Sequence, residues 1–295
     1  MVRELGTCRA MEVNHMIEDA PPALLYAVKV AGNLDMDVSQ RKYAVSVAVI
    51  DFFLPEISDR LFADLDAAGL DDQVVLVRTD GIARSLFNLR NDPGFREICA
   101  RFKGRDHRSV LFEATAAATL KGAGFQIDAR PSTQVKTLDF DLEVGVGEET
   151  MAVEVTELNS TEFNPNGLRH TLNYKRGQLP ADRPAALYCY YPSEWVNQVP
   201  SLEDELGTVA KRFFGGTGRV NHLWFVHERY IPKHNEFTYA LMSLRFENTN
   251  ARHHSDAISQ VARRATCDIV EGEPVEDHRR GAGEFQHLLN FALGG

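Results

Sequence analysis

From residue 107 onward the chain switches between two apolar periodicities. "HRSVLFEATAAATLKGAG" (107–124) is apolar or small almost throughout and closes on glycines, which predicts a helix buried nearly all round. "FQIDA" (125–129), "KTLDFDLEV" (136–144) and "TMAVEVTEL" (150–158) alternate oily and polar residues and predict strands, the last two joined by the turn "GVGEE" (145–149). After a loop rich in Asn, Pro and Gly, the pattern predicts helix "LRHTLNYKRGQL" (168–179), strand "AALYCYY" (185–191), helix "LEDELGTVAKRFF" (202–214) and strand "VNHLWFV" (220–226). The order is αβββαβαβ. Upstream, "YAVSVAVIDFF" (43–53) is strand-like, "EISDRLFADLDAAG" (56–69) is helical and "NDPG" (91–94) signals a turn. Beyond 235 a weaker strand-then-helix pattern ends in "EFQHLLNFAL" (284–293). The fold class expected is α/β, with an N-terminal α+β region (1–100), a core (101–235) and a C-terminal extension (236–295) packing on it.

Strand periodicity also sorts the acids. Thr137, Asp139, Asp141 and Glu143 share one face of their strand, and Ala152, Glu154, Thr156 and Leu158 share one face of the next. A tight hairpin with both apolar faces on one side puts Asp139 or Asp141 across from Glu154 or Thr156, about 5 Å apart. Facing carboxylates destabilise a sheet unless water screens them, one is protonated or a cation lies between them. Hard oxygen ligands of this kind suit Mg²⁺ or Mn²⁺. Asp141 and Glu143 are expected as solvated strand positions, whereas Glu113 lies within the apolar helix, where an unpaired acid is costly.

The 295 residues carry 42 acidic and 32 basic side chains, a formal net charge of -10, which argues against coating nucleic acid by bulk attraction. Basic residues nevertheless concentrate in "RNDPGFREICARFKGRDHR" (90–108), "RHTLNYKR" (169–176) and "VARRATC" (261–267), a candidate phosphate-facing strip. No apolar run approaches membrane-spanning length and no secretory signal opens the chain, so a cytoplasmic protein without membrane association is expected. The 4 cysteines are far apart and suggest neither a zinc knuckle nor a disulfide framework. Adjacent His253 and His254 diverge in regular structure and are expected at the surface. "GGTG" (215–218) follows a helix and reads as a cap and turn, and no GxSxG, Walker or dinucleotide fingerprint is present.

A helix carrying Glu113, a hairpin carrying "LDF" and then "EVT" at the end of a strand, in the order αβββαβ, resembles the PD-(D/E)XK nuclease superfamily over roughly residues 106–230. The resemblance implies a restriction-endonuclease-like core, a mixed central sheet flanked by helices. It further implies a metal-dependent phosphodiester hydrolase acting on DNA or RNA, with Glu113 as the helix acid and Asp139 and Glu154 holding Mg²⁺ or Mn²⁺. Thr156 stands where the superfamily has a catalytic lysine, and Leu138 where it has a proline. Lys136 or Lys175 is the candidate replacement for the lysine, and Lys175 with Gln178 resembles the helix that follows the third strand. Arg101, Lys103, Arg105, Arg176 and Gln178 are the candidate substrate contacts. The alternative, favoured by Thr156 and net acidity, is a catalytically inactive module that binds a protein or a nucleic acid. A third class is an unrelated enzyme whose acids form a salt-bridge network. A homodimer or protein partner through the N-terminal region completes the expectations.

Overall fold

The computed structural model describes residues 46–47, 49–56, 58, 72–104, 107–131, 137, 139–233 and 236–265. The chain divides into two compact units, Met1–Phe87 with Gly272–Gly295, and Asn88–Glu271. In the first, the run expected as a strand is helical over 46–47 and 49–53. Buried Ser46, Ile50, Leu54 and Ser58 recur every fourth residue, and Leu54 N donates to Ile50 O at 2.7 Å, the helical bond. Continuous β-branched and apolar residues hide this period, because helix and strand then bury the same side chains. Helix α1 (Asp72–Leu89) buries Thr79, Ile82, Ala83 and Leu86 on one stripe. Most of the expected helix over 56–69 and all of 284–293 lie outside the described residues.

The second unit is α/β. Its six strands lie in sequence order, β1 (Gln126–Ala129), β2 (Leu142–Val146), β3 (Glu149–Glu157), β4 (Ala185–Tyr190), β5 (His222–Lys233) and β6 (Glu236–Glu247). β1, β2 and β3 pair antiparallel, β3, β4 and β5 parallel, and β5 with β6 antiparallel. The expected antiparallel hairpin is therefore present, closed by Gly147, whose φ of 62° is one a side chain rarely adopts. β6 is an integral strand of this sheet and not an appendage.

Helices α2 (Phe95–Gly104) and α3 (His107–Ala123) precede the sheet, α4 (Pro165–Arg176) connects β3 to β4, α5 (Glu194–Gln198) and α6 (Leu202–Gly215) connect β4 to β5, and α7 (Asp256–Ala262) follows β6. Leu168 and Leu172 of α4 join Leu206, Val209 and Phe213 of α6 over Ala152, Leu187 and Cys189 on one sheet face. On the opposite face, Phe112 of α3 stacks on Tyr190 with ring centroids 4.1 Å apart. The sheet is thus a middle layer between helices, as parallel crossovers require.

The start of α4 fixes its phase. Asn164 caps it, its side chain accepting from Asn166 N and Gly167 N at 3.0 Å, with Pro165 in the first turn. The buried stripe of Leu168 and Leu172 then brings Lys175, one turn on, against the sheet.

Gly94 fixes the approach of α2. A Cβ there would fall well inside contact with the backbone N of Ala129 on β1, so the "NDPG" turn abuts the sheet edge directly. Gly94→Ala is expected to destabilise the protein by about 1–3 kcal/mol, seen as a lower urea midpoint at nearly unchanged m-value; an unchanged midpoint would show that this contact does not hold α2.

Candidate functional site

β2 covers β3 only as far as the pair Leu142↔Val153. One step further, where the strands separate, come Asp141 and Glu154. Val155 N, which has no β2 carbonyl to meet, donates instead to Asp141 Oδ2 at 2.9 Å. The carboxylate thus stands in for the missing ladder partner and is held beside Glu154. Asp139 lies three residues before the first β2 residue and is half-buried there. The acid the structure brings across from Glu154 is accordingly Asp141, and the reason is the late start of β2. The sequence pattern extends the strand back to 136 and so makes the two aspartates equivalent.

Glu154 is 2% exposed in the middle of β3. Lys175 reaches it from the last turn of α4, Nζ to Oε1 at 2.7 Å. Oε2 is buried and has no hydrogen-bond partner among the described residues. Burial first, then the neighbouring Asp141 and more weakly Glu113, push the Glu154 carboxyl well above the ordinary range, and Lys175 only partly offsets them. For Lys175 burial is the largest influence and lowers it, and the charge and hydrogen bond of Glu154, when ionised, together with Asp141 and Cys189 raise the ammonium above its usual pKa.

The other side of the cluster is closed by Arg101. Its Nη1 lies 2.6 Å from Glu113 Oε2 and 3.7 Å from Asp141 Oδ1, its Nη2 donates to the carbonyls of Arg130 and Asp141, and its Nε lies 3.3 Å from Glu97 Oε1. Arg101 and Glu113 are 6% and 3% exposed, a buried pair. The guanidinium therefore ties α2 and α3 to the entry of β2 instead of facing a ligand. Glu143 is likewise not a solvated strand position: it is 12% exposed and pairs with Arg130 and, at 2.6 Å, with Arg183.

Of the remaining candidates, Thr156 is buried two residues beyond Glu154 on the same strand face. Lys103 is exposed on α2, and Arg105 and Lys136 lie outside the described residues. Arg176 is half-buried and donates from Nη1 to Gly216 O at 3.1 Å. Gln178 sits just past α4, its Oε1 buried with no hydrogen-bond partner among the described residues. His254 is exposed, while His253 is half-buried with Nε2 2.9 Å from Ala181 O.

No group of three or more His, Cys, Asp or Glu side chains is arranged to hold a metal ion among the described residues. The donor chemistry at Glu154 and Asp141 nonetheless fits a small hard cation. A buried carboxylate oxygen lacks a partner and a second carboxylate stands beside it, and Mg²⁺ commonly takes only one or two carboxylates, with waters and phosphate oxygens completing its shell. Among the described residues no helix is long and apolar enough to cross a membrane. No known protein-family model, no curated protein and no solved structure matches this chain.

Two outcomes test this electrostatic account. The raised Glu154 pKa means that the folded state holds a proton the unfolded chain releases, so Glu154's contribution to stability is full below about pH 4.3, the unfolded value, and is lost as pH rises through the folded one. In metal-free buffer Glu154→Gln, which fixes the neutral form, should gain Tm relative to wild type as pH rises; parallel Tm–pH curves would refute the shift. Arg101→Met should cost about 3–5 kcal/mol by leaving Glu113 buried without its cation, and adding Glu113→Leu should recover a large part of it. Additive losses in urea denaturation would show that the two side chains are not coupled.

Proposed function

We propose that the unit Asn88–Glu271 is a metal-dependent phosphodiester hydrolase acting on DNA or RNA, with a restriction-endonuclease-like core. One observation carries this reading: Lys175 Nζ, 2.7 Å from Glu154, supplies from the following helix the ammonium that Thr156 does not supply from the strand. Asp141 and Glu154 would hold Mg²⁺ or Mn²⁺, which when bound supplies Lewis acidity and charge neutralisation at a phosphoryl group.

The rest of the chemistry belongs to the chain. Lys175 has three N–H donors and is 23% exposed, so with one donor on Glu154 it keeps others for an attacking water and a non-bridging phosphate oxygen. Held there, the ammonium opposes the negative charge that builds on the phosphoryl oxygens as water adds. Glu154 fixes the direction of the ammonium, and Asp141 is itself oriented by Val155 N. Arg101 and Glu113 keep Asp141 in place without reaching the reacting atoms.

A specific observation favours the second reading, an inactive nuclease-like module. Arg101 already lies between Glu113 and Asp141, a protein cation in contact with two of the three acids. Incubation of the purified chain with single- and double-stranded DNA and RNA, in Mg²⁺ or Mn²⁺ against EDTA, separates the two. Metal-dependent cleavage that falls about 10²-fold or more in Glu154→Gln and in Lys175→Met is expected. Binding without cleavage would identify the inactive module.

A further inference from the structure

A cleft of about 490 Å³ is lined by Asn173 and Arg176 of α4, by Gly216 and Gly218 in the turn after α6, and by Arg219 and Arg252. We propose that this cleft binds the phosphodiester backbone of a nucleic acid. The ligand class rests on the hydrolase reading above; the cleft's preference for an anion does not.

Three guanidiniums converge here, and among the described residues no Asp or Glu lines the cleft and none of the three is paired with a carboxylate. In a chain with 42 acids to 32 bases, that local excess of positive charge is the reverse of the global balance. Like charges gathered without counterions repel, so an anion entering the cleft is favoured. Arg176 and Arg219 are held by the backbone and not by acids. Arg176 Nη1 donates to Gly216 O at 3.1 Å, and Arg219 Nη1 donates to the carbonyls of Arg176 and Leu179, each at 3.2 Å. Gly218 admits Arg252, since a Cβ there would lie 3.0 Å from Arg252 Cγ. Each guanidinium has five N–H donors, so these contacts leave most of the donors for oxygens of a ligand, in the fork geometry that matches phosphate.

The occupant is a polymer backbone: among the described residues no aromatic side chain lines the cleft to stack a base, as a free nucleotide site would offer, and three guanidiniums from separate segments offer more donors than a single phosphate takes. The glycine turn shapes the wall, and the arginines supply the donors.

The test is fluorescence anisotropy with 5′-labelled single- and double-stranded DNA and RNA in EDTA, in salt from about 50 to about 200 mM. Arg176→Gln and Arg252→Gln should each weaken binding and lower the magnitude of the log–log salt slope by about 0.7 on single strands or about 0.9 on duplex, one phosphate contact apiece. Lys211→Gln, which removes the same charge from the exposed face of α6, should leave the slope unchanged. Absence of binding by the wild type, an equal effect of Lys211→Gln, or slopes unmoved in both cleft variants would overturn the proposal. So would displacement of the oligonucleotide by ADP at comparable affinity, which would mark a small-molecule phosphate site. Because no divalent ion is present, an inactive protein that still shows the slope changes refutes hydrolysis and leaves the cleft standing, whereas cleavage with unmoved slopes does the converse.

Discussion

A carboxylate buried in the middle of a strand sets the terms for what surrounds it. Glu154 stands between Val153 and Val155 with 2% of its surface exposed, and an isolated anion in such a place would cost several kcal/mol. The surrounding elements answer that cost one by one. Asn164 and Pro165 start α4 in the phase that carries Lys175 to Oε1. Phe95–Gly104 is brought in by the close contact of Gly94 with β1, and Arg101 from that helix holds Glu113 and Asp141. The register of the hairpin decides which aspartate takes part.

The cluster is asymmetric, and the asymmetry separates structure from chemistry. Among the described residues Arg101 meets Glu97, Glu113 and Asp141, and Lys175 meets Glu154. Glu154 is the acid that burial first, then Asp141 and Glu113, push upward. Arg101 at one end is 6% exposed and engaged by two backbone carbonyls as well as acids, a fixed strut. Lys175 at the other end is 23% exposed, so its ammonium is within reach of solvent. A ligand that supplies positive charge would meet the unpartnered Oε2 of Glu154 at this second end.

The sequence pattern reveals much of this fold and less of its site. Helix α3, the hairpin, β4 and α6 are legible because their apolar periods are clear and glycine or proline punctuates them. The segment 43–53 is misleading because an uninterrupted β-branched run suits either period, and the i, i+4 stripe of Ser46, Ile50, Leu54 and Ser58 contains two serines that a hydrophobic pattern skips. Glu154 and Glu113 stand out as acids in apolar runs. Asp139 and Asp141 are indistinguishable by alternation, since they share a face, and only the point where β2 stops separates them. That point depends on Arg130 N bonding to Asp141 O at 3.1 Å and on Arg101, neither of which is visible in a local window.

Basic residues show the same limit from the other direction. A run such as 90–108 looks like one strip along the chain, yet its members do unlike things: Arg101 turns inward to close a buried pair while Lys103 stays exposed. The arginines that do converge without acids, Arg176, Arg219 and Arg252, come from a helix, a turn after another helix and a loop after the last strand, so sequence proximity carries no sign of them. Net charge sets the long-range field, which salt screens over about 8–10 Å, whereas a ligand in a cleft interacts chiefly with charges inside that distance. An acidic chain can therefore present a basic wall, while acids such as Glu113 and Glu143 are committed to arginines elsewhere in the unit.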